Sequence, residues 1–239
     1  MKLPKTRISA IVVAAGLVAP AWAALTIVDT EPGTFIDISG IGEILPLSGD
    51  LSVSRTTTIS NAVFPAGEWW VGNNGGIGFP TLPSSFLAPM NAPLPSTDAF
   101  GGGKCMLGYW DDIGNTVGHV YWAQLPDRLV VEWANRQFED STDTLTFEMQ
   151  IFDNPSNSIY AQVLFSDIEQ PRADGGKSST IGYQKAGTPL DNVQERDNDV
   201  QWSYNTAGAV ANGTVLSLMP EPASAALLLL GVLLSRRLC

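Results

Sequence analysis

Apolar and polar residues alternate with a period of two in the most regular part of the chain. In Thr144–Phe152 the odd positions from 145 to 151 are apolar, and the even positions carry Thr146, Glu148 and Gln150. After turn residues 153–157, the odd positions from 159 to 165 are apolar again. Successive side chains of a strand point to opposite faces, so this pattern predicts an antiparallel pair with one face on a core.

The rest of the region between residues 24 and 218 consists of similar segments, separated by turn-forming residues roughly every ten positions. The further predicted strands cover residues 25–29, 34–39, 51–60, 68–72, 106–110, 117–123, 128–134, 178–183, 200–204 and 214–218. Residues 79–103 contain five prolines and three consecutive glycines, which predicts a long surface loop or an excursion at a sheet edge. The pattern as a whole predicts an all-β fold, an antiparallel β-sandwich of about twelve strands.

The N-terminus departs from this pattern with an unbroken apolar run. Three basic residues within the first seven positions precede apolar residues 8–19, and Ala21 and Ala23 frame a small-x-small site. This order is typical of a secretory signal peptide, with cleavage expected after Ala23. Residues 1–23 are therefore predicted to form a signal-peptide helix that is removed on export, and an uncleaved anchor is the alternative.

The C-terminus carries a second apolar run between two distinct flanks. The three parts are a proline breaker, an uncharged run and a basic pair: Pro220-Glu221-Pro222, Ala223–Leu234 and Arg236-Arg237. A helix of twelve residues rises about 18 Å, against about 30 Å for the hydrocarbon core of a bilayer. The pattern predicts a short hydrophobic helix that inserts transiently, with its arginines at the cytoplasmic face.

This tail resembles the PEP-CTERM sorting signal of Gram-negative bacteria. The resemblance implies that an exosortase recognises and removes the tail after transient insertion in the inner membrane. It also implies a final place at the cell surface or in the exopolysaccharide matrix of a biofilm. The chain then divides into a signal peptide (1–23), an extracellular domain (24–218) and a sorting signal (219–239).

The region between the two ends is strongly acidic. The chain has 13 basic and 24 acidic residues, and setting aside five basic and one acidic residue at the ends leaves eight and twenty-three, a formal charge of −15. Such a charge repels nucleic acid and anionic lipid headgroups, which argues against either as a partner. Cys105 is the only cysteine in this region of the sequence, so an intrachain disulfide cannot form there.

Few residues suit catalysis. His119 is the only histidine of the sequence and has no nucleophile motif to serve, which favours a surface or hydrogen-bonded strand residue. Glu132 and Glu148 fall on the polar faces of two predicted strands, where they could line a groove as paired carboxylates or simply face solvent. The sequence therefore predicts a non-enzymatic protein, with a secreted glycoside hydrolase as an alternative.

Two acidic segments offer the oxygen ligands that calcium takes. They are Asp111-Asp112 and the group Asp191, Asn192, Glu195, Asp197, Asn198 and Asp199. Neither has the spacing of a known calcium loop, so capped turns and a charged loop are the other interpretation. One histidine and one usable cysteine disfavour zinc, and Gly101–Lys104 lacks the surroundings of a phosphate-binding loop. No cofactor is expected, and calcium remains open.

Trp69 and Trp70 are neighbours in a predicted strand, so they must point to opposite faces. One is expected in the core. The other, if exposed, would offer an indole that stacks on a sugar ring, although packing between sheets is the commoner role of tryptophan. A carbohydrate-binding module that contacts exopolysaccharide is therefore a second expected function.

A series of segments in the body also carries a resemblance by its order. The segments are Trp70–Gly75, Ala92–Pro95, Gly108–Asp112, Arg128–Trp133, Thr144–Phe152 and Ser179–Tyr183. Over residues 60–218 this order resembles extracellular β-sandwich domains, distantly nidogen-like, of bacterial surface proteins with interchangeable anchors. The resemblance implies a secreted interaction module without catalytic residues, and hence a surface or matrix protein.

Overall fold

The computed structural model describes residues 25–30, 33–47, 49–79, 82–114, 117–155, 159–185 and 199–220. Within these ranges the chain forms thirteen strands and one short 3-10 turn at Phe100–Gly102. The first seven strands are β1 Leu25–Asp29, β2 Glu43–Ile44, β3 Ser52–Thr57, β4 Gly67–Gly72, β5 Gly76–Gly78, β6 Cys105–Trp110 and β7 His119–Gln124. The others are β8 Arg128–Gln137, β9 Thr144–Phe152, β10 Ala161–Asp167, β11 Thr180–Gln184, β12 Val200–Tyr204 and β13 Val215–Pro220.

The described strands form two antiparallel sheets. Sheet A has the order β1-β13-β10-β9-β8-β7-β2, and sheet B has the order β12-β11-β6-β5-β4-β3. Rings from the two inner faces meet in one apolar cluster: Tyr109 lies 6.2 Å from Phe147, and Trp69 lies 6.4 Å from Trp122. The protein is therefore all-β, with two sheets packed face to face as a sandwich.

Strand β9 lies at the centre of the core and has the predicted bounds. All four apolar residues at its odd positions are fully buried, which confirms the inner face that the alternation indicated. Phe147 stacks on Trp133 of β8, with ring centroids 4.8 Å apart and ring planes 7° apart. On sheet B, a Cβ placed on Gly108 would come within 2.6 Å of Cε2 of Phe147, so glycine allows the sheets to approach here.

Residues 34–39, predicted as a strand, do not pair in either sheet. Strands β1 and β2 lie at opposite edges of sheet A, so the chain between them must cross one face of that sheet. The core fills the inner face. Residues 33–38, called the strap below, cross the outer face instead, from β13 and β10 at Gly33 to β8 at Ile38. The strand prediction is wrong because an extended segment can also lie across a sheet.

Residues 82–104 form the long irregular connection that the prolines predicted, but much of it covers the outer face of sheet B. Leu87 and Phe100 are buried, and a Cβ on Gly76 or Gly78 would come within 2.8 Å or 2.9 Å of them, respectively. These side chains join Cys105, Leu107 and Trp110 in a second, smaller apolar cluster. The connection is therefore irregular, as predicted, but several of its apolar side chains are buried against sheet B.

The last described residue, Pro220, ends β13 and pairs with Leu25 of β1. Met219 and Pro220 thus belong to the sheet, although the sequence placed them in the sorting segment. A proline is compatible with this position because it is the last residue of the strand, where the lack of an N–H donor does not interrupt the hydrogen bonds between strands. Ala21, Ala23, Glu221, Pro222, Arg236 and Arg237 lie outside the described residues, as do both predicted terminal helices. In the described ranges, no helix is long and apolar enough to span a membrane.

Candidate functional site

The strap covers two glutamates that lie directly opposite each other in sheet A. Glu132 of β8 pairs with Glu148 of β9, and their exposed fractions are 3% and 0%. The backbone N–H of Ile36 donates to Oε1 of Glu148 at 3.0 Å, and that of Ile38 donates to Oε2 of Glu132 at 2.9 Å. The expectation of a solvated polar face is therefore wrong for both side chains, because the strap replaces water above them.

Gln150 extends this polar row along β9. Its Nε2 donates to Oε1 of Glu148 at 2.6 Å and to the carbonyl oxygen of Thr34 in the strap at 2.8 Å. Nη1 of Arg128 donates to Oε1 of Gln150 at 2.8 Å. Oε2 of Glu148 is buried and has no hydrogen-bond partner among the described residues. These hydrogen bonds hold the strap against the sheet. The unpaired oxygen of Glu148 lowers the stability of the folded state when the carboxylate is ionised.

The carboxyl pair is electrostatically strained. The pKa of Glu148 is raised to about 7, mainly by burial and also by nearby Glu132, against the opposing hydrogen bonds from Gln150 and Ile36. Burial also raises the pKa of Glu132. Because Glu148 exposes no surface, the pair as arranged cannot reach a polysaccharide together, and this geometry gives no support to hydrolysis by paired carboxylates.

The two adjacent tryptophans take opposite roles, as their neighbouring positions predicted. Trp69 is fully buried in the core, where its Nε1 donates to the carbonyl oxygen of Pro65 at 2.8 Å. Trp70 is half-buried on the outer face of sheet B. It lines a groove of about 360 Å³ together with Glu68, Leu82 and Ser84. Any stacking on a sugar therefore involves Trp70, and Trp69 is a core residue.

Asp111 is engaged in an ion pair. Nη1 of Arg172 donates to Oδ2 of Asp111 at 3.0 Å, and the Ser178 hydroxyl donates to the same oxygen at 2.6 Å. Burial raises the pKa of Asp111, while the bonds from Ser178 and Arg172 act against that rise. Burial is the main cause that raises the pKa of Asp112. Nearby acidic groups raise it as well, and Asp50 has the largest effect among them.

The calcium hypothesis gains no geometric support from the described part of the chain. There, no group of three or more histidine, cysteine or acidic side chains is arranged to hold a metal ion. Residues 191–198 lie outside the described ranges. Asp199 is described, and its Oδ1 accepts a hydrogen bond from the backbone N–H of Lys185 at 2.7 Å.

His119 and Lys104 have ordinary surroundings. His119 is exposed at the start of β7, on the strand beside Glu132, and its ring meets that of Tyr121 edge to face at 5.9 Å. Nζ of Lys104 donates to the carbonyl oxygen of Val63 at 2.8 Å, and burial lowers its pKa. The lysine side chain thus contacts protein backbone.

Arg136 is only 2% exposed, and no pattern in the sequence singled it out. Its guanidinium donates to the carbonyl oxygens of Gly114, Val117 and Gly118 and to Oδ1 of Asn73. Burial lowers its pKa to about 10. Arg136 therefore ties β8 to the loop before β7 and to the β4–β5 turn.

Together, the two sheets and their covered outer faces define an all-β sandwich domain with one principal core. Comparison with protein families matches residues 27–220 to the family described as NIDO related, and the chain belongs to that family. The match extends from β1 to the end of β13 and supports the nidogen-like part of the resemblance, and with it an extracellular domain. Comparison with curated proteins and with solved structures gives no match.

Proposed function

We propose that this protein is a non-enzymatic, exported component of the bacterial cell surface or extracellular matrix. In this proposal an exosortase-type system sorts it, and its setting is the exopolysaccharide of a biofilm. The observation that carries the proposal is the family match over residues 27–220, which supports a folded extracellular domain. The acidic charge of that domain is compatible with export and disfavours nucleic acid as a partner.

The tail sequence supports the sorting step. Strand β13 includes Pro220, so Glu221 and Pro222 follow the last strand directly in the sequence. An enzyme that cuts after this motif would leave all pairs between β13 and its neighbours intact. The apolar run and Arg236-Arg237 would then be lost without loss of the folded domain.

Mass spectrometry of the protein purified from its own cells tests this step. We expect a mature N-terminus at Ala24 and a C-terminus that lacks Arg236-Arg237. Combined Glu221→Ala and Pro222→Ala substitutions should retain the tail, whereas Glu68→Ala at an exposed position of the domain should not affect processing. Deletion of the exosortase gene should also retain the tail. An intact tail on the mature surface protein would count against exosortase sorting.

Carbohydrate binding at Trp70 is the second candidate function. The observation that favours it is the half-buried indole in a groove of about 360 Å³ on the outer face of sheet B. A glycan array tests it: Trp70→Ala should abolish binding, while Trp122→Phe in the core should leave it unchanged. Turnover of a polysaccharide that disappears in Glu132→Gln would instead support the hydrolase alternative and contradict the non-enzymatic proposal.

A further inference from the structure

A second concavity lies on the outer face of sheet A beside the strap. Its volume is about 570 Å³, which is within the range of small-molecule sites. Phe35 and Asp37 of the strap form one side, and His119 and Tyr121 of β7 contribute to its wall. The groove is on the opposite sheet from Trp70, so it is a separate place on the surface.

Two irregularities in sheet A open into this groove on either side of Thr146. In β8 the register with β9 shifts between Trp133 and Arg136, and Asn135 within this bulge has a φ of 50°. In β10 the register shifts at Ser166. Bulges redirect side chains and are common next to binding sites. Here Asn135 and Ser166 both line the groove.

Several groove side chains have polar atoms without a hydrogen-bond partner among the residues that the structure describes. Glu132 is almost completely buried and uses Oε2 to accept from Ile38, but its Oε1 accepts no hydrogen bond from a described residue. The side chains of His119, Asn135 and Asp167 likewise form no hydrogen bond within the described part of the chain. Donors and acceptors of different kinds therefore converge on one cavity.

The charges of the groove narrow the class of ligand. Its lining includes Asp37, Glu132 and Asp167 but no lysine or arginine, so an acidic ligand would be repelled. The polar lining disfavours an apolar ligand. A saccharide fits because its hydroxyl groups can donate to these carboxylates and accept from the amide of Asn135. The rings of His119 and Tyr121 add flat apolar surface for the C–H face of a sugar.

We infer that this groove binds a saccharide without acidic groups, held between the strap and the two bulges of sheet A. The inference rests on the proposed extracellular setting and is independent of exosortase processing. It assigns carbohydrate recognition to sheet A, whereas the Trp70 candidate assigns it to sheet B.

An array of neutral, amino and uronic-acid oligosaccharides, probed with the purified exported protein, tests the inference. We expect binding to at least one neutral or amino oligosaccharide and none to those made of uronic acids. Calorimetric titration with the bound oligosaccharide should show at least a tenfold loss of affinity in Asn135→Gly and in Asp167→Asn. Glycine keeps the positive φ at position 135, and both sites are at the surface, so the fold should persist.

Trp70→Ala separates the two carbohydrate hypotheses and should leave this binding unchanged. The inference is wrong if the array shows no binding to any non-acidic oligosaccharide. It is equally wrong if Trp70→Ala removes binding while Asn135→Gly and Asp167→Asn keep it. Mass spectrometry of the same samples reports tail processing separately, so failure of the sorting proposal would be seen independently of saccharide binding.

Discussion

Glu148→Gln should stabilise the protein at alkaline pH and have little effect at acidic pH. The side chain is fully buried beneath the strap, opposite Glu132, and its Oε2 has no hydrogen-bond partner in the described part of the chain. Glutamine has nearly the same shape and can still accept the N–H of Ile36. It removes the buried negative charge, and its amide can donate to the neighbouring carboxylate.

The size of the effect follows from the pKa of Glu148, which is about 7 in the folded protein against an ordinary value of 4.5. One pKa unit corresponds to about 1.4 kcal/mol, so ionisation of Glu148 costs the folded state about 3 kcal/mol. The folded pKa is the higher one, so this stability is fully present below pH 4.5 and is lost as the pH rises through 7. Glu148→Gln should remove this loss.

Urea unfolding followed by tryptophan fluorescence between pH 4 and pH 8 measures the effect. The difference in unfolding free energy between Glu148→Gln and the natural protein should be near zero at pH 4 and about 3 kcal/mol at pH 8. Glu68→Gln, at an exposed position of β4, is the matched control and should show no such growth with pH. A difference that stays constant with pH, or a variant that is less stable at pH 8, would contradict a destabilising buried charge at Glu148.

Three further predictions concern buried groups elsewhere in the sandwich. Arg136→Met should lower the unfolding free energy by about 3 kcal/mol in urea titrations, because it removes the guanidinium that donates to Oδ1 of Asn73 and to three loop carbonyls. A loss below about 1 kcal/mol would contradict this role. Gly108→Ala should cost about 1–3 kcal/mol in the same assay, because its Cβ would lie 2.6 Å from Phe147, whereas alanine at exposed Gly40 should be close to neutral. Cys105 is buried, and burial raises the pKa of its thiol, so the thiol should react slowly in the native protein. Peptide mass spectrometry should find it unmodified by iodoacetamide in the native protein and alkylated in guanidinium. Rapid alkylation of the native protein would contradict this, because it would require residues 82–104 to move away from sheet B.

The sequence showed where most strands lie and which of their faces point inward. The alternation in residues 144–152 and 159–165 correctly gave the inner faces of β9 and β10, because a period of two fixes which side chains share a face. Adjacent Trp69 and Trp70 were correctly assigned to opposite faces for the same reason.

The alternation did not show what covers the other face. Glu132 and Glu148 read as solvated side chains because strands usually expose their polar face, yet the strap lies over both of them. The contacts that bury them join Ile36 and Ile38 to residues 112 and 94 positions away. Arg136 was missed for a similar reason, since most of its partners are backbone carbonyls, and a carbonyl has no residue-specific signal in the sequence.

The β class, most of the strands and the inward faces can be predicted from the sequence, because they depend on neighbours one or two positions apart. The order of strands in each sheet is seen only in the folded chain, and that order places β1 and β2 at opposite edges of sheet A. From that placement follow the path of the strap across the outer face, the burial of the carboxyl pair and the groove beside it. Segments far apart in the chain create these features when they meet, so local periodicity cannot encode them.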